Sequence, residues 1–434
     1  MDADDHASAD AARRAEAGRK LRTGMAWNLA PVVVLGVVGL GLNFAIGRWW
    51  GTAALGVFNQ VTTAYFVLAS LGSIGLNLSA LRAIAQEPTD QARVAAIVVG
   101  ALLPATVLAA IVTVTMIFGR HAIGGWLDSE VVAEGILYAA PGLACFVVNK
   151  LLISVVNGLG RMRAFAVYST LRYAMIGVSL GIAGALRLDA TQLPIIWTIT
   201  EGTLLLVLIV EVLLTVKFSR AAGWQPWLVE HLRFGIRGAG ATLLFELNSR
   251  LDIWILGAAM SDSQVGIYSM AASLAEGVSQ LATALQVNVN PTIAADLAAN
   301  RTADVEALAR RSRRWFVPGM VAVCGLAAAM FPFVIPWITG DAAFSAGALP
   351  FAMLMLGLAL SSPWMPFNQV LLMGGKPGWH TIYILLSVAA NVVLNLLMVP
   401  HYGLMGAAIA TAIALVFSAL LLRRVARSLV GVRL

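Results

Sequence analysis

The sequence predicts an all-α polytopic membrane protein, with about twelve transmembrane helices in two six-helix lobes related by a pseudo-two-fold along the membrane normal. Three observations predict it: the composition, the spacing of apolar runs, and an internal repeat. Hydrophobic residues make up 59% of the chain and charged residues 12%, whereas a soluble domain keeps roughly 25% charged. Most of the surface must therefore face lipid or other helices.

A helix needs about 20 apolar residues to cross a hydrocarbon layer roughly 30 Å thick. Taken in order, the runs that meet this are 24–47, 57–81, 94–118, 132–157, 164–186, 193–217, 234–259, 265–293, 315–338, 348–373, 379–400 and 404–422. The first exceeds a signal-peptide core and reads as a retained anchor. The expected domains are a polar tail (1–23), an N-terminal lobe (24–218), a linker (219–233), a C-terminal lobe (234–422) and a basic tail (423–434).

Orientation follows from the basic residues, because short cytoplasmic loops carry the excess of Lys and Arg. The first tail holds Arg13, Arg14, Arg19, Lys20 and Arg22. Every second connection continues the bias: Arg82 and Arg93; Arg161 and Arg163; Lys217, Arg220, Arg233 and Arg237; Arg301, Arg310, Arg311, Arg313 and Arg314; Lys376; then Arg423, Arg424, Arg427 and Arg433. The intervening connections hold only Arg48, Arg120 and Arg187. Both termini are expected in the cytoplasm. The net charge of +7 is a topological signal, so no nucleic-acid partner is expected.

The repeat is short but consistent. LGVFNQ at 55–60 and VGIYSM at 265–270 open the second and eighth spans, 210 residues apart. GRMRAFAVY at 160–168 and GKPGWHTIY at 375–383 enter the fifth and eleventh, 215 apart. Duplication of an even number of spans leaves both copies pointing the same way, the parallel plan of some secondary transporters.

Several of these stretches resemble a known family. RWWGTAALGVFNQVTTAYFVLASLGSIGL, through Arg48, Gly51, Leu55–Phe58 and Gly75, resembles the start of the polysaccharide (lipid-linked oligosaccharide, O-antigen translocase-like) flippases. These belong to the multidrug/oligosaccharidyl-lipid/polysaccharide exporter (MOP) superfamily. LNSRLDIWILG with VGIYSMA resembles its spans 7 and 8. NVVLNLLMVPHYGLMGAAIATAIA, through Asn391, Asn395, Pro400, Tyr402, Gly403, Gly406 and Thr411, resembles its spans 11 and 12. The resemblance implies a central cavity opening alternately to each side of a bacterial cytoplasmic membrane. It implies a polyprenyl-pyrophosphate-linked glycan as cargo, for surface polysaccharides such as O-antigen or exopolysaccharide. Membrane lipids and the polysaccharide polymerase and export machinery would be its partners.

Ionisable groups at membrane depth are costly and mark functional sites by default. Lys150, Arg172 and Glu211 fall at similar depth in the first lobe. They read either as a neutralising ion-pair cluster or as a docking patch for pyrophosphate. Glu201 is expected to pair with Arg48 or Arg187 at the outer face. Glu246 and Glu276 fall near mid-membrane, where a carboxylate could couple transport to H⁺ or, as its neutral acid, simply hydrogen-bond to backbone or to Gln280. Within FELNSRLDIWIL (245–256), Glu246 and Arg250 share one helical face and Asn248 with Asp252 another. The expectation is Arg250 as a cargo-phosphate ligand held by Glu246, Arg48 at the cavity mouth, and Asp252 as an architectural or charge-partner group.

No catalytic constellation, metal-ligand spacing or Walker A pattern occurs, so neither a cofactor nor an ATPase site is expected. Energy would come from an H⁺ or Na⁺ gradient, the membrane potential, or downstream consumption. Two alternatives stand beside a flippase. A cation- or proton-coupled multidrug exporter should line its cavity with carboxylates. A glycan polymerase or ligase should present a larger outer loop than the roughly 13 residues of 119–131.

Overall fold

The computed structural model describes residues 3–218 and 223–434, with side chains from Val38 onward except at 219–222, 237–239, 241–242, 245 and 248–249. The first-tail cations, the first half of the expected first span, Arg220, Arg237 and Asn248 thus fall outside the described side chains. The described residues form helices and connections, with no strand. In order they are α1 (Ala3–Ser73), α2 (Leu76–Gln86), α3 (Gln91–Trp126), α4 (Glu130–Gly158), α5 (Met162–Ala185) and α6 (Ile195–Thr215), then α7 (Gln225–Gly257), α8 (Asp262–Ala298), α9 (Thr302–Thr339), α10 (Ala348–Ser361), α11 (Val370–Met373) and α12 (Pro377–Leu429). Eight stretches among them are long and apolar enough to cross a membrane. The protein is a multi-pass membrane protein.

Helix boundaries refine the sequence expectation at several points. Gly51 (φ 83°) breaks α1, and Gly403 (φ 54°) breaks α12. The expected second span is interrupted at Ile74 and Gly75, both at positive φ. The expected tenth span is not one helix. It becomes α10, a 3₁₀ turn at Met365–Phe367 and α11, because Pro363 and Pro366 cannot donate to an α-helical ladder. Residues 225–233, expected in the linker, form the first turns of α7.

Backbone breaks recur at a nearly constant spacing. Positive-φ residues pair as Asp128 with Gly340, Gly160 with Gly375, and Arg187 with Gly403, at offsets of 212, 215 and 216. The repeated hexapeptides also touch each other. A methyl group on Gly56 would sit 1.8 Å from the Asp262 carbonyl oxygen, and one on Gly266 would sit 1.9 Å from that of Thr52. Thr52 and Asp262, like Gly56 and Gly266, are 210 residues apart, so the contact is reciprocal. Only glycine permits two helix backbones to approach so closely.

Packing divides the bundle by depth. One apolar core joins both halves of the chain, uniting Leu55, Phe58 and Tyr65 of α1 and Leu143 of α4 with Tyr268 of α8, Phe351 of α10 and Ala407 of α12. At the arginine-rich end two separate cores replace it. One unites Ile84, Val98, Leu152 and Leu208 of α2, α3, α4 and α6. The other unites Ile293, Val305, Leu371 and Leu422 of α8, α9, α11 and α12.

Hydrogen bonds reinforce the shared end. Gln60 Nε2 donates to Asp262 Oδ1 over 2.7 Å, and Ser129 Oγ to Asp262 Oδ2 over 2.8 Å. Thr52 and Ser263 hydroxyls lie 2.7 Å apart. Helix α7 runs between the two regions. Its start packs on α2 and α3, where buried His231 meets the Ser79 hydroxyl at 2.8 Å and the Ile97 carbonyl at 3.3 Å. Its end meets α1, where Trp254 donates to the Gln60 carbonyl.

Candidate functional site

The site is built where the shared core gives way to the two separate ones. On α4 that change falls between Val147 of the shared core and Leu151 of the first separate core. Lys150 stands at this level.

On α7, Glu246 and Arg250 lie one helical turn apart, and Arg250 Nε is 2.7 Å from Glu246 Oε1. Their side chains are only 22% and 28% exposed. The Arg250 guanidinium lies over the Phe66 ring of α1, 4.4 Å from its centroid. Phe66 in turn meets Phe146 of α4 edge to face, with centroids 5.6 Å apart. Over Phe146, at 4.9 Å, lies the guanidinium of Arg172 from α5. Two arginines from different halves of the chain are thus held against one aromatic pair. Each gains cation–π attraction that strengthens when water is excluded.

Arg172 is further fixed by Glu201 of α6. Its Nε lies 2.8 Å from Glu201 Oε1 as an ion pair not aligned for a hydrogen bond, while Nη2 donates to Oε2 over 3.2 Å. Asn149 of α4 donates to the same carboxylate and to the Glu201 carbonyl, each over 2.8 Å. Glu201 is wholly buried, and a buried carboxylate persists only with such partners. Lys150 lies within the electrostatic reach of both Glu246 and Arg172, but forms no ion pair within 4.0 Å among the described residues. The cluster therefore holds three cations, Lys150, Arg172 and Arg250, against two carboxylates already engaged by arginines. Its net charge favours an anion.

Sequence reasoning placed Lys150, Arg172 and Glu211 together, and the structure corrects this. Glu211 forms an ion pair with Arg161 and accepts from the Tyr168 hydroxyl at 2.8 Å. The antiparallel run of α5 and α6 sets position 211 beside 161–168 and position 201 beside 172, so register separates the two pairs. Glu201 is likewise corrected, since its partner is Arg172 and not Arg48 or Arg187. Arg48 is exposed and donates to the Ile338 carbonyl over 2.8 Å, tying α1 to α9 at the arginine-poor end, apart from the cluster.

Asp252 faces the other way on α7. It accepts from the Tyr268 hydroxyl at 2.8 Å and from the Ile253 amide, which joins α7 to α8. Glu276 is exposed on α8, and among the described residues its carboxylate has neither an ion pair nor a hydrogen bond, including from Gln280. Trp254 packs edge to face on Trp126.

The groups that sequence reasoning missed are Phe66 and Phe146, which pin the two arginines, and Asp262 with Gln60 and Ser129. The aromatics looked like any apolar span residues. Asp262 carried a signal, because it lies just before a repeated hexapeptide.

An inward-facing multidrug resistance transporter of the MATE family, in the MOP superfamily, superposes with a TM-score of 0.77 at 15% identity, covering 94% of this chain and 98% of its own. The lipid II flippase MurJ in an inward closed conformation gives 0.75 at 12% identity, covering 93% and 88%. A MOP superfamily transporter from Pyrococcus furiosus, described as having a binding pocket of reversed polarity, gives 0.57 at 14% identity, covering 95% of each. No curated protein sequence matches. The profile of the family described as polysaccharide biosynthesis protein matches residues 21–295, more than half of the chain. The chain therefore belongs to the polysaccharide biosynthesis protein family and has the all-helical fold of MOP-superfamily transporters.

Proposed function

We propose that the protein is a flippase, not an enzyme, that moves a polyprenyl-pyrophosphate-linked oligosaccharide across the bacterial cytoplasmic membrane by alternating access, for surface polysaccharide assembly. Its two six-helix lobes, with both termini cytoplasmic, would rock about the shared core. The observation that carries this reading is the junction of Arg172 and Arg250 on the Phe66–Phe146 pair, with Lys150 at the same level, where the shared core gives way to the separate ones. Arginine binds phosphate oxygens in a bidentate fork, and a pyrophosphate descending between the separate cores would meet these cations first. A cavity for cationic drugs would present free carboxylates there. Here Glu201 and Glu246 are each engaged by an arginine.

Within this proposal the shared end is the outer gate, and Arg48 braces it. Coupling to H⁺ or Na⁺ is assigned to Glu246 and Glu276. The glycan polymerase and export machinery would take the product on the far side.

The test is reconstitution in liposomes with a fluorescent polyprenyl-pyrophosphate sugar, scored by its access from the opposite leaflet. The wild-type protein should accelerate transfer, and Arg250→Ala should lower the rate at least ~10-fold, the scale of one lost charge-assisted contact, with unchanged protein levels. No acceleration over empty liposomes, together with uptake of a cationic dye, would sink the proposal.

A further inference from the structure

A cavity lies apart from the cluster above, inside the second half of the chain at the arginine-rich end. It has a volume of about 340 Å³ and lies between α8, the 364–369 turn and both limbs of α12. Volumes of this order suit small ligands. Its lining is rich in neutral hydrogen-bonding groups. The hydroxyls of Tyr383, Ser387 and Ser418 form a chain, with Tyr383–Ser418 at 2.7 Å and Ser387–Ser418 at 2.9 Å. Three further lining residues carry a buried polar atom with no partner among the described residues: Trp364 Nε1, Asn368 Oδ1 and His380 Nδ1. A buried polar atom left without a partner carries its full desolvation penalty, so three of them around one cavity point to a ligand that supplies the missing bonds.

Charge gathers over one of the lining residues, Trp364. The guanidiniums of Arg313 and Arg423 lie over the Trp364 ring at 5.5 and 5.9 Å from its centroid. Arg313 Nε donates to the Pro363 carbonyl over 2.7 Å, while its Nη2 is buried without a partner among the described residues. No described carboxylate forms an ion pair with either arginine. Two cations sharing one ring without an acidic neighbour repel each other, and an oxyanion between them would reverse that sign.

We infer that this cavity, with Arg313 and Arg423, binds a phosphorylated polyol. The guanidiniums and the Trp364 N–H would take the phosphate oxygens, since an indole nitrogen only donates. The hydroxyl chain, Asn368 and His380 would take the polyol hydroxyls. Two sources share this chemistry: the phosphoglycerol headgroup of an anionic lipid, which basic pockets between membrane helices can hold, and a soluble sugar or glycerol phosphate. The inference does not rest on the flipping activity, and either can fail without the other.

The test uses the full chain purified in detergent. Native mass spectrometry would measure retention of phosphatidylglycerol against phosphatidylcholine, and a thermal-shift titration would compare glycerol 3-phosphate with glycerol. Selective retention of phosphatidylglycerol alone supports the lipid source, and stabilisation by glycerol 3-phosphate supports the soluble one. In either case Arg313→Gln with Arg423→Gln should weaken binding at least ~10-fold, while Arg424→Gln leaves it unchanged. Should the double variant fail to fold, Trp364→Phe keeps an aromatic ring, removes the N–H, and should weaken binding about threefold. The inference is overturned if the wild-type chain retains neither ligand selectively, if phosphatidylcholine binds as tightly as phosphatidylglycerol, or if these variants bind like the wild type.

Discussion

The two ends of this bundle are built on opposite plans. At the arginine-poor end the halves share one core, and the α1 and α8 backbones touch at Gly56 and Gly266. Asp262 there gathers donors from α1 and from the residue before α4. At the arginine-rich end each half closes on its own core, and ion pairs such as Arg310–Glu306 stay on the surface within a single half. The joint between the halves is sealed by apolar contact and a few directional bonds, while each half keeps a core of its own at the other end. The core is divided between the halves at one end and common to them at the other.

The strongest way to break this comparison is to lock the shared end. Thr52→Cys with Ser263→Cys, in a background where Cys145 and Cys324 are replaced by Ala, places thiols where hydroxyls now lie 2.7 Å apart. Oxidation should link them nearly completely and abolish the proposed flipping, with recovery on reduction. Full activity in the linked protein would show that this end never opens.

Gly56→Val should have the next largest effect. Its Cβ would overlap the Asp262 carbonyl, and overpacking of this kind costs roughly 1–3 kcal/mol. The expected outcome is a lower thermal midpoint and, in the double-cysteine background, a reduced yield of the engineered cross-link. A smaller loss, about 1 kcal/mol, is expected for Asp262→Asn, whose amide has a single acceptor oxygen where the carboxylate offers one each to Gln60 and Ser129. Thermal unfolding measures it, and an unchanged midpoint would remove Asp262 from the joint. At the arginine-rich end, Arg310→Ala should change stability by less than ~0.5 kcal/mol, because its partner lies 3.6 Å away and Arg310 is 68% exposed. A loss above ~1 kcal/mol would contradict the contrast between the ends.

Much of this was legible in the sequence. The hexapeptide repeat pointed to a symmetric relation, and the two copies turned out to meet each other. Glu246 and Arg250 were legible because a helix fixes the relation of positions four apart. Arg172 with Glu201 was not legible, since two antiparallel helices can slide by a turn without changing their hydropathy. Depth counted from span ends therefore misassigned Glu211. The broken tenth span escaped for a related reason: its prolines sit among residues apolar enough to look continuous.

Hydropathy was sufficient for the helical membrane class, because lipid imposes that constraint on each helix separately; the alternation of arginine-rich connections adds an expected orientation. Only packing could decide that Arg250 and Arg172 meet over Phe66 and Phe146, or that the core is shared at one end and divided at the other. Those relations join residues far apart in the chain, and their energy depends on interhelical register, which no single helix encodes.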